Sequence, residues 1–454
     1  MINNGRLVGK RISVLGAARS GKAVARLLKD AGALVFVSER ERANDAHMAF
    51  LHELNITGEF GGHTSRVLEA DLIVVSPGVP SSIPILREAR DRLIPVVSEV
   101  EVAAWFCPSP MVAITGSNGK TTTSSLVAHI FETAGLDYVL AGNIGDAFSE
   151  FVPTLSMGTT AILEISSFQL DHIDTFRPRV SLLLNITPDH LDRYDSFDHY
   201  VKSKFRIMKN QGAGDAVIYN FDDALVRRGV SSTLDHSAAE GYAFSSQSEV
   251  EPGAFIRGDS LVLRTNQSEE VLMARDELAL PGRHNLYNSL AAAMAARVME
   301  VRVESIRESL MTFEGVRHRL EFIREVKGVR YVNDSKATNV NAVWYALESM
   351  EAPVILIAGG RDKGNDYDAI ADLVAEKVRA VVAVGESAER VAAALGYLVD
   401  ACVHADSMDD AVGQASRLAQ PGDVVLLSPA CASFDMFTNY EARGDAFRDA
   451  VKML

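Results

Sequence analysis

Short runs of valine, isoleucine and leucine recur along the chain, each followed by a turn and then by a helical stretch. They fall at 12–15, 34–37, 71–75, 95–99, 112–114, 160–165, 180–186, 329–332, 354–358, 380–384 and 424–428. A near-continuous apolar run is suited to burial on both faces. Alternating with helices, such runs predict parallel strands covered on two sides, which is an α/β architecture. With 454 residues, at roughly 100–200 residues per domain, the chain divides into about three domains, with expected boundaries of 1–98, 99–315 and 316–454. Residues 230–275 are polar and irregular, with alternating stretches such as 260–264, and suggest a small antiparallel excursion. The alanine-rich 288–301 segment is a strong helix by propensity.

The most informative run is Val112-Ala113-Ile114. Thr115-Gly116-Ser117-Asn118-Gly119 breaks it, and Lys120-Thr121 opens a helix expected over 122–132. Strand, glycine loop, Lys-Thr and helix together can hold a nucleotide's phosphates. Backbone N–H groups close on the oxygens, the helix start favours negative charge, Lys120 adds a cation and the Thr121 hydroxyl can reach Mg²⁺. The usual spacing is shortened, since only Ser117 and Asn118 separate Gly116 from Gly119. A plain glycine-rich turn is the alternative.

The first unit has its own loop after a strand, Gly16-Ala17-Ala18-Arg19-Ser20-Gly21, with Ser38-Glu39-Arg40 after the next strand. It is either a site for a phosphorylated ligand or a simple strand–helix turn. Ser76-Pro77-Gly78-Val79-Pro80 makes a rigid turn at another strand end, where ligands of open α/β sheets collect.

The net charge of −15 disfavours a general nucleic-acid binder, because no broad cationic face is available. Cys107, Cys402 and Cys431 are few, odd in number and scattered, which argues against a disulfide framework or a cysteine-rich metal site. No apolar run approaches membrane-spanning length and no secretory segment precedes the first strand, so a soluble cytoplasmic protein without membrane insertion is expected.

Further polar residues cluster at strand ends. Glu164 closes an apolar strand, where it could face the phosphate loop and hold a metal, or simply be exposed. Asp189-His190-Leu191-Asp192 follows another strand; His190 suits a metal or catalytic role, and Asp189 a supporting one. Tyr200 and Lys204 lie four apart on one face of a helix expected over 197–208. Lys204 is either a surface lysine or a buried amine able to react with carbon dioxide, giving a carboxylate-like carbamate. His284-Asn285-Leu286-Tyr287-Asn288 supplies amides suited to a base or a phosphate, or merely a helix start. In the third unit Arg317-His318-Arg319 could bring a guanidinium to phosphate oxygens. Three loops follow three strands: 333–339, with Asp334, Lys336 and Thr338; 359–364, with Lys363; and 428–435, with Ser433. Together they favour one crevice over coincidence. Cys431 lacks a nearby base in sequence and is expected to be a small buried residue.

These motifs resemble those of the bacterial Mur ligases, ATP-dependent enzymes that form peptide bonds in peptidoglycan precursor synthesis. The resemblance spans essentially the whole chain. It rests on the shortened loop 115–121, Gly142-Asn143-Ile144-Gly145, Glu164-Ile165-Ser166-Ser167-Phe168-Gln169, Asp189-His190, His284-Asn285, 333–339 and Ser428-Pro429-Ala430-Cys431-Ala432-Ser433. The last two motifs resemble the D-glutamate-adding branch, and the Asp-Asn-Pro-Arg motif of the diaminopimelate-adding branch is absent. The resemblance implies two Rossmann-like domains flanking a central P-loop ATPase-like domain with a mainly parallel sheet. It also implies these roles: Gly116, Ser117, Asn118, Gly119, Lys120, Thr121 and Thr122 around the ATP phosphates; Thr121 and Glu164 on a first Mg²⁺; His190 and a carbamylated Lys204 on a second. Lys120, His190 and Lys204 would be catalytic. Asn288 would lie near adenine, Asp334 near the ribose and Arg319 near the phosphates. Asn143 would contact the UDP-sugar substrate, with Arg19, Ser20, Ser38, Glu39, Arg40 and Ser76 around uridine diphosphate. Thr338, Lys363, Ser433 and Tyr440, with Lys336 at the same junction, would bind D-glutamate. Ser38 and Glu39 stand where the family has an acid and then a hydroxyl residue, and Tyr440 where phenylalanine is common. The implied partners are the small molecules UDP-N-acetylmuramoyl-L-alanine and D-glutamate, handled by a monomer. Competing readings are another Mur ligase, a folylpolyglutamate synthase, or a nucleotide-gated binding protein without catalysis.

Overall fold

The computed structural model describes residues 7–189, 193–362 and 364–454. Two compact units are seen. One runs to Leu278 and includes Tyr287–Thr312; the other comprises Ala279–Leu286 and Phe313–Leu454. The first unit carries two sheets and the second carries one.

The first sheet has five parallel strands in the order Thr57–Phe60, Leu34–Glu39, Arg11–Leu15, Leu72–Val75 and Val96–Ser98. Ile12 and Val14 pack into one core cluster, and Leu15, Ile73 and Val75 into another. The helix Arg19–Asp30 covers the sheet with Ala23, Val24, Ala25, Leu27 and Leu28, all buried. The expected terminal strand is shorter than its apolar run. Val96–Ser98 is the strand, and Glu99 already begins the helix Glu99–Phe106. Glu101, fully buried in that helix, accepts N–H bonds from Asp174, Thr175 and Phe176 at 2.8–2.9 Å. The charge is satisfied by backbone donors, as burial requires.

The second sheet has nine strands. Their order is Glu269–Ala274, Ser260–Arg264, Gly253–Arg257, Glu240–Ser245, Ala216–Asn220, Val180–Leu183, Met111–Thr115, Thr160–Glu164 and Tyr138–Gly142. The last seven are mutually parallel, and only the 253–274 strands form antiparallel hairpins. The expected antiparallel excursion is therefore smaller than 230–275. A helix runs over Ala224–Leu234, and Glu240–Ser245 continues the parallel sheet. Met111–Thr115 sits between Val180–Leu183 and Thr160–Glu164, so the loops after all three strands emerge side by side.

The second unit holds a six-stranded sheet, in the order Glu321–Val326, Val329–Asn333, Val424–Leu427, Val354–Ala358, Val378–Val384 and Ala401–Ala405. Only the first strand is antiparallel. Along Val354–Ala358, Val354, Leu356 and Ala358 join one core cluster while Ile355 and Ile357 join the other. That is the period-2 alternation with both faces buried that a continuous apolar run demands.

Candidate functional site

The phosphate-type loop forms as its sequence requires. Gly119 has φ +85° and caps the helix Lys120–Thr133. A Cβ at Gly119 would stand 2.5 Å from Asn288 Oδ1, so close approach as well as backbone conformation calls for glycine. Asn288 is buried and accepts a bond from the Thr123 hydroxyl at 3.2 Å. The loop is fastened from the neighbouring strand end. Asn185 Oδ1 accepts from Asn118 N at 2.8 Å, its Nδ2 donates to Asn118 O at 3.0 Å, and its carbonyl accepts from Ser117 N at 3.0 Å. The Ser117 hydroxyl donates to Thr187 O at 2.9 Å and lies 2.8 Å from the Tyr200 hydroxyl. Thr122 is buried within the helix.

Two lysines converge on this loop. Lys120 Nζ donates to Gly116 O at 2.8 Å and Ser117 O at 2.9 Å. Lys204, on the helix Phe197–Phe205, donates to the same Gly116 carbonyl at 2.8 Å and lies 4.7 Å from the centre of the Tyr200 ring. Lys204 is only 2% exposed, so the surface-lysine alternative does not hold. Burial, reinforced by the Lys120 charge, holds its pKa well below the usual lysine range. Two ammonium groups sharing one carbonyl repel each other, and an anion placed between them relieves that repulsion.

Glu164 is also buried, which removes the alternative of an exposed strand-end acid. Its Oε2 accepts from the Thr121 hydroxyl at 2.7 Å and its Oε1 from Asn143 Nδ2 at 2.9 Å. Gly142, at φ +105°, brings Asn143 alongside; a Cβ there would be 2.4 Å from Glu164 O. A carboxylate and a hydroxyl at the loop's edge are hard oxygen donors. They suit a magnesium ion that takes its remaining ligands from phosphate oxygens and water. Asp189 raises the Lys204 pKa from nearby. His190 lies outside the described residues.

At the first sheet, Gly16, Ser38 and Ser76 meet at adjacent strand ends: Gly16 N donates to Ser38 O at 2.9 Å and Ser76 N to Leu15 O at 3.0 Å. Glu39 Oε2 accepts from Ala17 N at 2.6 Å. Burial opposes its ionisation, but N–H bonds from Ala17, Glu41 and Arg40 outweigh this and leave its pKa lowered. The Ser38 hydroxyl is taken up by Glu59 at 2.7 Å and faces His63 at 2.8 Å. Ser76 Oγ is buried with no hydrogen-bond partner among the described residues. Arg19 and Arg40 are exposed and Ser20 is half-buried.

In the second unit the three polar loops follow three adjacent strands. Asp334 is 1% exposed; its carboxylate accepts from Ser428 Oγ at 2.9 Å and Leu320 N at 3.2 Å. Burial, eased by Arg319 and Ser428, raises its pKa to about 6. Lys336 Nζ donates to the Tyr440 hydroxyl at 3.1 Å. Ser433 is buried, and Thr338 and Arg319 are half-buried. Arg317 instead pairs with Asp445 at 2.8 Å. His284 packs by Tyr345, and burial next to Arg319 lowers its pKa to about 3. Cys431 is buried against Tyr367 and Ser387, and burial raises its thiol pKa. Lys363 lies outside the described residues.

Three family descriptions match the chain in order: the MurD N-terminal domain at 11–83, the Mur ligase middle domain at 114–296, and the Mur ligase glutamate ligase domain at 318–431. The chain belongs to the Mur ligase family. The ligase is 54% identical over 450 residues to the UDP-N-acetylmuramoylalanine–D-glutamate ligase of Salinibacter ruber, covering 98% of both chains. It is 46% identical to the enzyme of that name from Chloroherpeton thalassium, again covering 98% of each. Among solved structures, a pseudomurein peptide ligase type C from Methanothermus fervidus shares the fold with a TM-score of 0.60 at 19% identity, covering 98% of this chain and 100% of that one. MurF from Acinetobacter baumannii gives a TM-score of 0.61 at 16% identity, covering 97% and 93%.

Sequence reasoning missed two residues that order the ligase's loops. Asn185 was visible as a polar strand end, but its grip on the phosphate loop needed the strand order. Arg443, buried in the helix Tyr440–Lys452, donates to Ser335 O at 2.8 Å, Ser335 Oγ at 3.0 Å and Cys431 O at 3.0 Å, tying two loops together. No sequence signal separates it from a surface arginine. Among the described residues, no helix is long and apolar enough to cross a membrane.

Proposed function

We propose that this ligase joins D-glutamate to UDP-N-acetylmuramoyl-L-alanine at the cost of ATP, in peptidoglycan precursor synthesis, as a soluble cytoplasmic monomer with the three-domain division 1–98, 99–315 and 316–454. The observation that carries the site is the convergence of Lys120 and Lys204 on Gly116 O beside the buried Glu164–Thr121 pair. A carboxylate acylates poorly because its oxygen leaves badly. Transfer of the ATP γ-phosphoryl group to it gives an acyl phosphate. The D-glutamate amine attacks the acyl carbon, a tetrahedral intermediate forms, and the C–O bond breaks to release phosphate and leave an amide.

Each residue has a part in this scheme. Loop N–H groups and Lys120 bind the phosphates, and Lys120 swings from its loop carbonyls to follow the transferring charge. Glu164 and Thr121 would hold a first Mg²⁺ and His190 with Lys204 a second. Magnesium bound there neutralises charge on the phosphate oxygens. Burial keeps a fraction of Lys204 neutral, and the neutral amine adds to carbon dioxide, losing a proton to form an anionic carbamate. Asn143, Arg19, Ser20, Ser38, Glu39, Arg40 and Ser76 bind the UDP-sugar. Asn288, Arg319 and Asp334 bind the nucleoside and phosphates. Lys336, Thr338, Lys363, Ser433 and Tyr440 bind D-glutamate.

The test is phosphate release by purified protein given ATP, UDP-N-acetylmuramoyl-L-alanine and single amino acids. Release with D-glutamate and none with L-lysine or diaminopimelate is expected. The opposite pattern refutes the substrate assignment.

A further inference from the structure

The carboxyl ends of the first sheet carry Gly16, Ser38 and Ser76. The opposite, amino-terminal edge of the same sheet holds a cavity of about 360 Å³ that the proposed reaction does not use. At about 3.3 Å per residue, a five-residue strand separates the two ends by about 16 Å. The volume falls in the range of small-molecule sites, about 300–1,000 Å³.

Its lining runs against the charge of the chain. In a protein of net charge −15, Arg11, Lys29 and Arg66 face one opening with Glu69 as the only acid in the lining. None of the three cations is in an ion pair among the described residues. Lys29 Nζ reaches only the Asn55 carbonyl, at 3.4 Å. The Arg66 guanidinium sits over the Phe36 ring, 4.6 Å from its centre. Among the described residues, the hydrogen bond from Arg11 to an acid is through its backbone, Arg11 N to Asp71 Oδ2 at 2.9 Å, which leaves the guanidinium outside it. Between these cations Phe36, Ile56 and Leu34, the last 58% exposed, form an apolar part of the wall, beside Ser13, Asn55 and Thr57. Cations around an apolar floor recognise a compound with an anionic head and a flat apolar body. The head pairs with the guanidiniums, and the body slides beside Phe36 under Arg66.

We infer that this cavity is a second ligand site, specific for small organic anions with a flat apolar body, at the end of the first sheet remote from the phosphate-binding turn. The full-length ligase is titrated calorimetrically with naphthalene-2-carboxylate, with UDP and ADP present in excess to fill the nucleotide sites. Naphthalene-2-carboxamide is the uncharged control. The carboxylate is expected to bind about tenfold more tightly than the carboxamide, and about tenfold more tightly to the native chain than to Arg11→Ala/Arg66→Ala, the loss of a charge-assisted contact worth about one decade. Both arginines are exposed, so the variant should fold. If it does not, Lys29→Ala and the carboxamide comparison on the native chain decide. No heat with the carboxylate, equal affinity for the two compounds, or undiminished affinity in the folded variant overturns the proposal.

Discussion

Replacing Lys204 by methionine should make the ligase more stable and inactive. The Lys204 ammonium is buried, with one hydrogen bond to Gly116 O and one ring contact to Tyr200. No carboxylate lies within ion-pair distance of it among the described residues. Methionine has similar length and can occupy the same channel against Tyr200. The Gly116 carbonyl is not orphaned by the change, because Lys120 still donates to it at 2.8 Å. Two cations no longer compete for one oxygen. Exchanging buried charges for apolar groups of similar size typically gains about 1–4 kcal/mol. At about 2–4 °C per kcal/mol for domains of this size, the melting transition should rise by about 2–16 °C. The sign of the pH dependence follows from the lowered pKa. The native lysine contributes stability above its unfolded pKa and loses it as pH falls through the folded one, so the advantage of Lys204→Met should grow as pH falls and shrink towards alkaline pH. Turnover should drop by about a thousandfold or more, the scale of losing a preorganised charge at phosphoryl transfer. Calorimetry in bicarbonate-free buffer and a phosphate-release assay read the two effects. A melting point lowered by several degrees, or turnover close to native, would refute the reasoning.

Lys120→Ala should abolish turnover with little loss of folded protein, because it removes the loop's cation and the Gly116 carbonyl keeps its bond from Lys204; extensive loss of folded protein would contradict this. Gly142→Ala should destabilise by about 1–3 kcal/mol, since φ is +105° and the new methyl group would meet Glu164 O; urea denaturation reads it. Lys204→Ala should be inactive and partly rescued by short carboxylates, and absence of rescue counts against the carbamate. Asp334, with its pKa raised to about 6, contributes stability at low pH that is lost as pH rises through that value. Asp334→Asn should flatten that slope between about pH 4 and 6 in melting curves.

Much of this architecture was legible because near-continuous apolar runs alternating with helices point to a parallel sheet buried on both faces. Thr160–Glu164 and Val180–Leu183 were visible for that reason. Thr57–Phe60, Tyr138–Gly142, Ala216–Asn220, Glu240–Ser245, Glu321–Val326 and Ala401–Ala405 were missed. Four of them, Thr57–Phe60, Tyr138–Gly142, Glu321–Val326 and Ala401–Ala405, are edge strands and largely only half-buried, which blurs their pattern. The three loops of the second unit were grouped from sequence alone, and the strand order places their parent strands side by side. Burial was harder to read. Nothing in the helix sequence around Lys204 distinguishes an amine pressed against Gly116 O from one in water. Asn185 and Arg443 act through chain segments far away in sequence, which periodicity cannot detect.

In the proposed reaction a carboxylate is activated by phosphorylation before the amine attacks. UDP-N-acetylmuramoyl-L-alanine carrying oxygen-18 in both carboxylate oxygens tests this order of events. With ATP and D-glutamate, one labelled oxygen should appear in the released inorganic phosphate for each amide formed, read by mass spectrometry. Amide formation with no label in the phosphate would contradict the account.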